Sequence, residues 1–333
     1  MKNTFKLKSV GIEITWNCNQ KCSYCYLACD SGKNSKKQDI TLEQLKMTLR
    51  KILDAGVRKM YVIGGEPTIH ENFYDIVDEI NKYKWDRKGI CTNGVGLSEK
   101  AIKIIEDAFD YVSVSVRGTE KTTTSITGNP ESYSKTIATL KKLSSSDIDI
   151  LVGIDLLPEH FNEFSLVIDS LEKNNITFKN IDIHRIIPIG GANVDNVASL
   201  PKYRSLLETI DSISKKSNHS IIFEDCLPLC LVDKKYWKYI HTCMCGTSKV
   251  WVDPYGKVRR CACTSGAIGD INTENLEDIW TSKGMEEFHS YEWVDSECKK
   301  CKIFDECRGG CPSSRGVKFF DKDIFSDNFK AIK

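Results

Sequence analysis

In the stretch "DYVSVSVR", Val112, Val114 and Val116 share one face of an extended chain, and Ser113, Ser115 and Arg117 share the other. The alternation recurs. "DIDILVGIDLL" sets Ile148, Ile150, Val152, Ile154 and Leu156 against Asp149, Gly153 and Asp155, and "SVGIEITW" sets Val10, Ile12, Ile14 and Trp16 against Ser9, Gly11, Glu13 and Thr15. Between such runs the apolar period lengthens to that of a helix. "TLEQLKMTLRKILDAG" has Thr41 as N-cap and Gly56 as its stop, and "ENFYDIVDEINKY", "SEKAIKIIEDAF", "ESYSKTIATLKKL", "NEFSLVIDSLEKN" and "KYRSLLETIDSISKKS" read the same way. With the strands "KMYVIGG", "KGICTN" and "NIDIHRIIP", the pattern makes six consecutive βα units and predicts a parallel sheet.

Strands buried on both sides of a flat sheet are apolar on both faces. These have one polar face. The chain therefore reads as an α/β fold whose sheet curls into a partial (β/α)6 TIM-like barrel, with helices outside and a polar, functional lumen. The loop "IGGANVDNVASLP" and the polar stretch "KKSNHS" place a domain change near residue 220, with the barrel over 1–220 and a small cysteine-rich domain over 221–333.

Charge adds little. Forty-seven Lys and Arg balance 46 Asp and Glu, so nothing points to nucleic acid or an anionic membrane surface. No apolar stretch approaches the roughly 20 residues that span a bilayer. The start "MKNTFKLKSVGIEI" lacks the apolar core and cleavage site of a secretory signal, and the expected location is the cytoplasm.

Cysteine changes the picture. There are 15, with Cys18, Cys22, Cys25 and Cys29 near the start, ten between Cys226 and Cys311, and only Cys91 between the two blocks. In a reducing compartment, clustered cysteines bind metal or do chemistry more often than they form disulfides. "CNQKCSYC" follows the first strand, "GGEP" (Gly64 to Pro67) the second and "TNG" (Thr92 to Gly94) the third. Ser115 and Arg117 close the fourth, Asp155 lies near the end of the fifth, and "IIPIGG" follows the sixth. These are the C-terminal strand ends, where parallel α/β folds gather their sites. Three thiols in one loop suit an iron–sulfur cluster with one open iron, or zinc completed by a fourth ligand such as Cys29.

The spacing of Cys18, Cys22 and Cys25, with Tyr24 before the last, resembles the radical S-adenosylmethionine (SAM) superfamily, and "GGEP" resembles its methionine-binding loop. The resemblance implies that the three cysteines hold a 4Fe–4S cluster whose fourth iron is chelated by SAM. Gly64 and Gly65 would let the backbone approach the ligand, and Glu66 would offer a carboxylate to its ammonium. Pro67, Thr92 and Asn93 belong to the same rim, with Tyr24 near the adenine and Ser115 near the ribose. Many relatives have an aspartate and later an arginine after the position of Ser115. Here those places are Arg117 and Thr127, so Arg117 would have to meet the SAM carboxylate.

From Cys245, ten residues lead to Gly256 and four more to Cys261. Cys298, Cys301, Cys307 and Cys311 then follow at spacings of two, five and three. This resembles the SPASM domain, which carries auxiliary iron–sulfur clusters in one branch of these enzymes. The resemblance assigns Cys261, Cys311 and an upstream cysteine, Cys243 or Cys245, to a first auxiliary cluster, and Cys298, Cys301 and Cys307 to a second. The family's seventh cysteine, after the last run, is missing. Asp321, Asp323 or Asp327 could replace it, an iron could stay open, or the second cluster could be absent. Conversely, Cys226, Cys230, Cys243, Cys245 and Cys263 exceed what the first cluster needs.

By this resemblance the protein is an enzyme that cleaves SAM to a 5′-deoxyadenosyl radical and takes a hydrogen atom from a peptide, forming a thioether or carbon–carbon crosslink or a similar oxidation. Tetrapyrrole or other cofactor-precursor maturation, sulfatase activation and a non-enzymatic iron–sulfur or zinc protein are the alternatives. Many peptide maturases begin with a winged-helix-like leader-binding domain, whereas here the first strand starts by about residue 9. A peptide or small-protein substrate would then be recognised by the rim or through a separate leader-binding protein. Flavodoxin or ferredoxin would supply the electron. Asp155 and His184 are the candidate proton-transfer residues, while Cys29 and Cys91 read as ordinary thiols.

Overall fold

A computed structural model describes residues 5–27, 39–217, 219–224, 226–264, 266–315, 325 and 332. The strands are β1 (Ser9–Thr15), β2 (Lys59–Gly64), β3 (Arg87–Thr92), β4 (Tyr111–Val116), β5 (Asp149–Leu156) and β6 (Asn180–Arg185). Each is followed by helix: α1 (Leu42–Asp54), α2 (Phe73–Asn81), α3 (Glu99–Ala108), α4 (Glu120–Thr127) with α5 (Ser132–Leu143), α6 (Phe164–Lys173) and α7 (Leu200–Ser214). Thr41 caps α1 by accepting from Gln44 N at 3.2 Å, and Leu45, Leu49 and Ile52 bury one stripe of it against the sheet. Burial of such side chains stabilises the fold by roughly 2 kcal/mol each.

The sheet runs further than six strands. A seventh parallel strand, β7 (Ser220–Phe223), follows α7 and pairs with β6. At the opposite edge β8 (Lys249–Val252) pairs parallel to β1, from Ser9 with Lys249 to Ile12 with Val252. Two antiparallel partners, β9 (Lys257–Arg259) and β10 (Ala267–Asp270), extend that edge, so the order is β10-β9-β8-β1-β2-β3-β4-β5-β6-β7. The cysteine-rich C-terminal region is thus built onto the barrel sheet. Its seam carries a buried ion pair, Arg259 Nη2 to Glu13 Oε2 at 2.5 Å, and Trp16 Nε1 donates to the same oxygen at 2.6 Å.

Strand alternation holds in β4, where Val112, Val114 and Val116 are buried and the residues between them are half-buried. The lumen is not wet throughout. The rings of Tyr61 and Trp251 meet edge-on, with centroids 4.9 Å apart, over Gly11. Any Cβ at Gly11 would lie 2.4 Å from the Trp251 ring, so a small residue on the polar face of β1 makes room for an aromatic filling. Helix α4 is an element that apolar periodicity misses. Four of its eight residues are Thr, and it is held by Gly128 at φ 67° and by the Thr122 hydroxyl on both Glu163 carboxylate oxygens at 2.8 Å.

Candidate active site and cysteine clusters

The loop bearing Cys18, Cys22 and Cys25 is tied to every neighbouring strand end. Gly65 N and Glu66 N, after β2, donate to Thr15 O and Asn17 O, each at 2.8 Å. From the loop after β3, Asn93 Nδ2 donates to Asn19 Oδ1 at 2.7 Å and reaches Cys18 Sγ at 3.7 Å. Ser23 N donates to Ile126 O in α4 at 3.0 Å. Tyr24 Oη donates to Asp155 O on β5 at 3.1 Å, and Gly191 N, after β6, donates to Cys25 O at 2.9 Å. The other five rim features read from the strand pattern therefore gather around the cysteine loop, the sixth.

Within that frame each candidate residue has a place. A Cβ at Gly64 would lie 2.2 Å from Thr15 O and one at Gly65 2.2 Å from Asn17 O, so both glycines are demanded by the cysteine loop's own backbone. Pro67 opens the short 3₁₀ turn that follows. Glu66 is fully buried. Its Oε1 accepts from Thr68 N, Thr68 Oγ1 and Thr92 Oγ1, and its Oε2, among the described residues, only from Asn93 N, at 2.7 Å. Burial pushes its carboxyl up and those four donors offset only part of the rise. Ser115 stands on the polar face of β4 opposite Gly153.

Arg117 lies against Cys22, Tyr24 and Asp155. Burial disfavours its charge, but these groups hold the guanidinium above its ordinary value. It hydrogen-bonds Cys22, while its buried Nε finds no partner among the described residues. Thr127, by contrast, caps its own helix through Thr123 O at 2.8 Å. Asp155 and His184 face each other across β5 and β6, Oδ1 to Nδ1 at 3.1 Å.

Sequence reasoning missed Asp39, which follows a segment outside the described residues that also holds Cys29. Its carboxylate accepts from the Thr15 hydroxyl and from Asn17 Nδ2, at 2.8 Å for the latter, and anchors the start of the cysteine loop. No apolar period or motif marks it.

The C-terminal thiols fall into two groups. Cys226, Cys243, Cys245, Cys261 and Cys263 form a chain of side-chain hydrogen bonds, and Cys311 lies within electrostatic reach of Cys243 and Cys261. Hydrogen bonding to Cys226 is the largest of the influences that raise the Cys243 thiol, and hydrogen bonding to Cys245 is the largest for Cys261. Cys298 and Cys307 lie on successive one-turn helices, Ser296–Lys299 and Phe304–Cys307, with Cys301 between them. Asp321, Asp323 and Asp327 lie outside the described residues. Tyr26 sits within reach of both Cys25 and Cys263, between the two cysteine regions.

The thiols of the Cys18–Cys25 loop are the donor type that holds an iron–sulfur cluster. Among the described residues no three His, Cys, Asp or Glu side chains converge as ligands of one metal ion would. Burial raises the bare thiols, Cys18 to about 11, and ligation as thiolates would reverse that cost. The orphaned Arg117 Nε and the single donor on Glu66 Oε2 are, respectively, a desolvated donor for a carboxylate and a free acceptor for an ammonium.

The superfamily model for radical SAM proteins matches residues 12–171, and the model for the SPASM iron–sulfur cluster-binding domain matches residues 243–302. The chain carries a radical SAM domain followed by a SPASM domain. The antilisterial bacteriocin subtilosin biosynthesis protein AlbA of Bacillus subtilis is 23% identical over 278 residues, covering 81% of this chain and 58% of AlbA. PqqA peptide cyclase of Bradyrhizobium diazoefficiens is 22% identical over 324 residues, covering 91% of this chain and 80% of the cyclase. Streptococcus suis SuiB, solved bound to the precursor peptide SuiA, superposes with a TM-score of 0.76 at 16% identity, over 94% of this chain and 74% of SuiB, and so shares the fold. The chain spans little more than half of AlbA. The radical SAM and SPASM domains imply 4Fe–4S clusters, and SuiB has also been solved bound to S-adenosylmethionine. No helix among the described residues is long and apolar enough to cross a membrane.

Proposed function

We propose that this chain is a peptide-modifying radical SAM enzyme. The observation that carries the reading is the convergence of the Cys18–Cys25 loop, the Gly64–Pro67 turn and the Arg117 guanidinium on one rim, above a lumen bordered by a second set of thiols. AlbA and PqqA peptide cyclase, named for bacteriocin biosynthesis and for cyclising a peptide, support a peptide substrate over a small cofactor precursor.

Cys18, Cys22 and Cys25 would hold the cluster, which with SAM supplies a 5′-deoxyadenosyl radical that removes hydrogen from an unactivated carbon. The chain's own groups do the positioning. Arg117 Nε would bind the SAM carboxylate, Glu66 Oε2 would accept from its ammonium, and Tyr24, Thr92, Asn93 and Ser115 would line the same rim. A crosslink that joins two residues releases a pair of hydrogens from the peptide. One leaves as the abstracted atom. The other leaves as a proton, which the Asp155–His184 pair would take, and the departing electron would pass to the auxiliary clusters. A soluble reductant of the flavodoxin or ferredoxin kind would prime the reaction.

The test is deoxyadenosine formation from SAM under dithionite by protein reconstituted without oxygen, alongside co-expression with a library of cysteine-containing peptides read by mass spectrometry. The expected result is deoxyadenosine from the wild type, none from the Cys18/Cys22/Cys25→Ala variant, and peptides lighter by a pair of hydrogens. Deoxyadenosine without any altered peptide would turn the reading toward a small-molecule substrate.

A further inference from the structure

Two C-x3-C segments lie antiparallel against each other. "CLPLC" runs from Cys226 to Cys230 and "CRGGC" from Cys307 to Cys311. At one end Cys311 N donates to Cys226 O at 3.0 Å. At the other, Leu229 N donates to Cys307 Sγ at 3.3 Å. Between these contacts Gly310, at φ +82°, is pressed so closely on Pro228 that a Cβ there would sit 2.8 Å from the proline ring.

The second end is built around a sulfur. Arg308, Gly309 and Gly310 all have left-handed backbones, at φ 51°, 76° and 82°. That curl turns the amide of Gly309 toward Cys307 Sγ, where Leu229 N also points, while Gly310 N closes the turn on Cys307 O at 3.0 Å. Backbone N–H groups aimed at one sulfur form the kind of anion-binding concavity common at iron–sulfur sites. Cys230, next in sequence to the Leu229 whose amide meets Cys307 Sγ, lies on the short turn Leu229–Leu231 within electrostatic reach of Cys307. Its turn is fixed from behind. Trp237 Nε1 donates to Leu229 O at 3.0 Å, and Arg204 donates from Nε and Nη2 to Leu231 O at 3.0 and 2.8 Å. The chain's C-terminal end meets the same region through its backbone, Ile332 N donating to Cys301 Sγ at 3.3 Å.

Each segment thus carries one thiol at each end. Cys226 and Cys311 stand with Cys243, Cys245, Cys261 and Cys263, a group with more thiols than one cubane uses. Cys230 stands with Cys307, whose own run lacks a fourth ligand.

We propose that Cys230 is the fourth thiolate of the second auxiliary cluster, with Cys298, Cys301 and Cys307; residues 312–333 offer no cysteine for that place. The ligand comes from the connection that leaves β7, upstream of the other three. The proposal rests on the iron–sulfur reading of this domain. It also gives the paired segments a purpose, since each bridges both auxiliary sites and holds them at a set separation.

The test uses the full chain reconstituted without oxygen, with iron and sulfide per chain and EPR spectra of the dithionite-reduced protein as readouts. Wild type is expected to hold about twelve irons in three cubanes. Iron near zero in wild type would sink the iron–sulfur reading itself, whatever Cys230 does. Given a loaded wild type, Cys230→Ala is expected to lose the same reduced signal as Cys307→Ala, and iron with it. The double variant is expected to lose no more than either single one, and the signal that depends on Cys18, Cys22 and Cys25 is expected to persist. Cys230→Ser, which offers an oxygen ligand, is expected to keep the iron and shift that one signal. A Cys230→Ala protein with wild-type iron and spectrum overturns the proposal. If Cys230→Ala misfolds, an unshifted spectrum from Cys230→Ser overturns it instead. So does a wild type with about eight irons and no signal that depends on Cys307.

Discussion

Asp155 Oδ1 stands 3.1 Å from His184 Nδ1, and the two residues are direct register partners on β5 and β6. Burial pushes the Asp155 carboxyl up, but the His184 hydrogen bond and charge, with Arg117, hold it below the usual carboxylate range. The carboxylate therefore stays ionised and orients the imidazole. Asp155→Asn keeps the backbone carbonyl that holds Tyr24 and removes the pair together with the negative charge near Arg117. Modified peptide is expected to fall about 100-fold, the scale of one general acid–base group, while deoxyadenosine formation persists. Chromatography of both products from one reaction checks this. Equal losses in both would mean that the pair serves SAM binding instead.

Gly65→Ala places a methyl 2.2 Å from a backbone oxygen of the cysteine loop, an atom that cannot swing away. SAM affinity is expected to drop at least about tenfold, the effect of roughly 1.4 kcal/mol of strain. Iron at Cys18, Cys22 and Cys25 is expected to fall as well, with the auxiliary EPR signals unchanged. Equilibrium dialysis and iron analysis on one preparation would show it.

The Glu13–Arg259 pair joins β1 to β9 inside the protein, with Glu13 fully buried. Arg259→Met leaves that carboxylate without its counter-charge, which costs about 3–5 kcal/mol for a buried pair. The double variant Glu13→Gln/Arg259→Met removes the stranded charge and is expected to recover most of the loss. Thermal unfolding of the four proteins in a double-mutant cycle decides it.

Asp182 is buried on the lumen face of β6, with Glu224, His184 and Lys249 as its charged neighbours. Burial, with help from Glu224, pushes its carboxyl from 3.8 up to about 6. Between those two values the folded state binds more proton than the unfolded chain. Its contribution to stability therefore declines as pH rises through that window and levels off above about 6. Asp182→Asn removes the dependence. It is expected to match wild type near the acid end of the window and to be more stable by up to about 3 kcal/mol above neutrality. Melting temperatures of the two proteins compared from weakly acidic to weakly alkaline buffer test the slope.

The rim was legible in the chain because strand alternation and βα order are local properties. Cys18, Gly65, Asn93, Arg117, Asp155 and Gly191 all fall at strand ends that period-two patterning already marks. What stayed hidden depends on long-range pairing. Nothing near Lys249 announces that its strand adds to β1, because a four-residue apolar run suits any sheet edge. Trp251 lies 240 positions from Gly11, yet its ring packs over that glycine beside Tyr61. Asp39 has no periodicity to betray it, and α4 is built from threonines that favour strands. The partnership of Cys230 with Cys307 needs two turns, 77 positions apart, to meet, and spacing rules that count along the chain cannot see it.

The pairing of β1 with β8 also sets an order of events during synthesis. Ser9 leaves the ribosome 240 residues before Lys249, its register partner. At about 5–20 residues per second that is a wait of roughly 10–50 s. Throughout it β1, the strand that carries the Cys18 loop, is an open edge, the kind of surface on which other chains can template. Iron delivered early would meet a barrel whose first strand still lacks its last neighbour, and Glu13 would be waiting for Arg259. The nascent protein is thus most exposed to oxygen and to aggregation before residue 259 emerges, and a helper that shields it would be needed during that interval and not after.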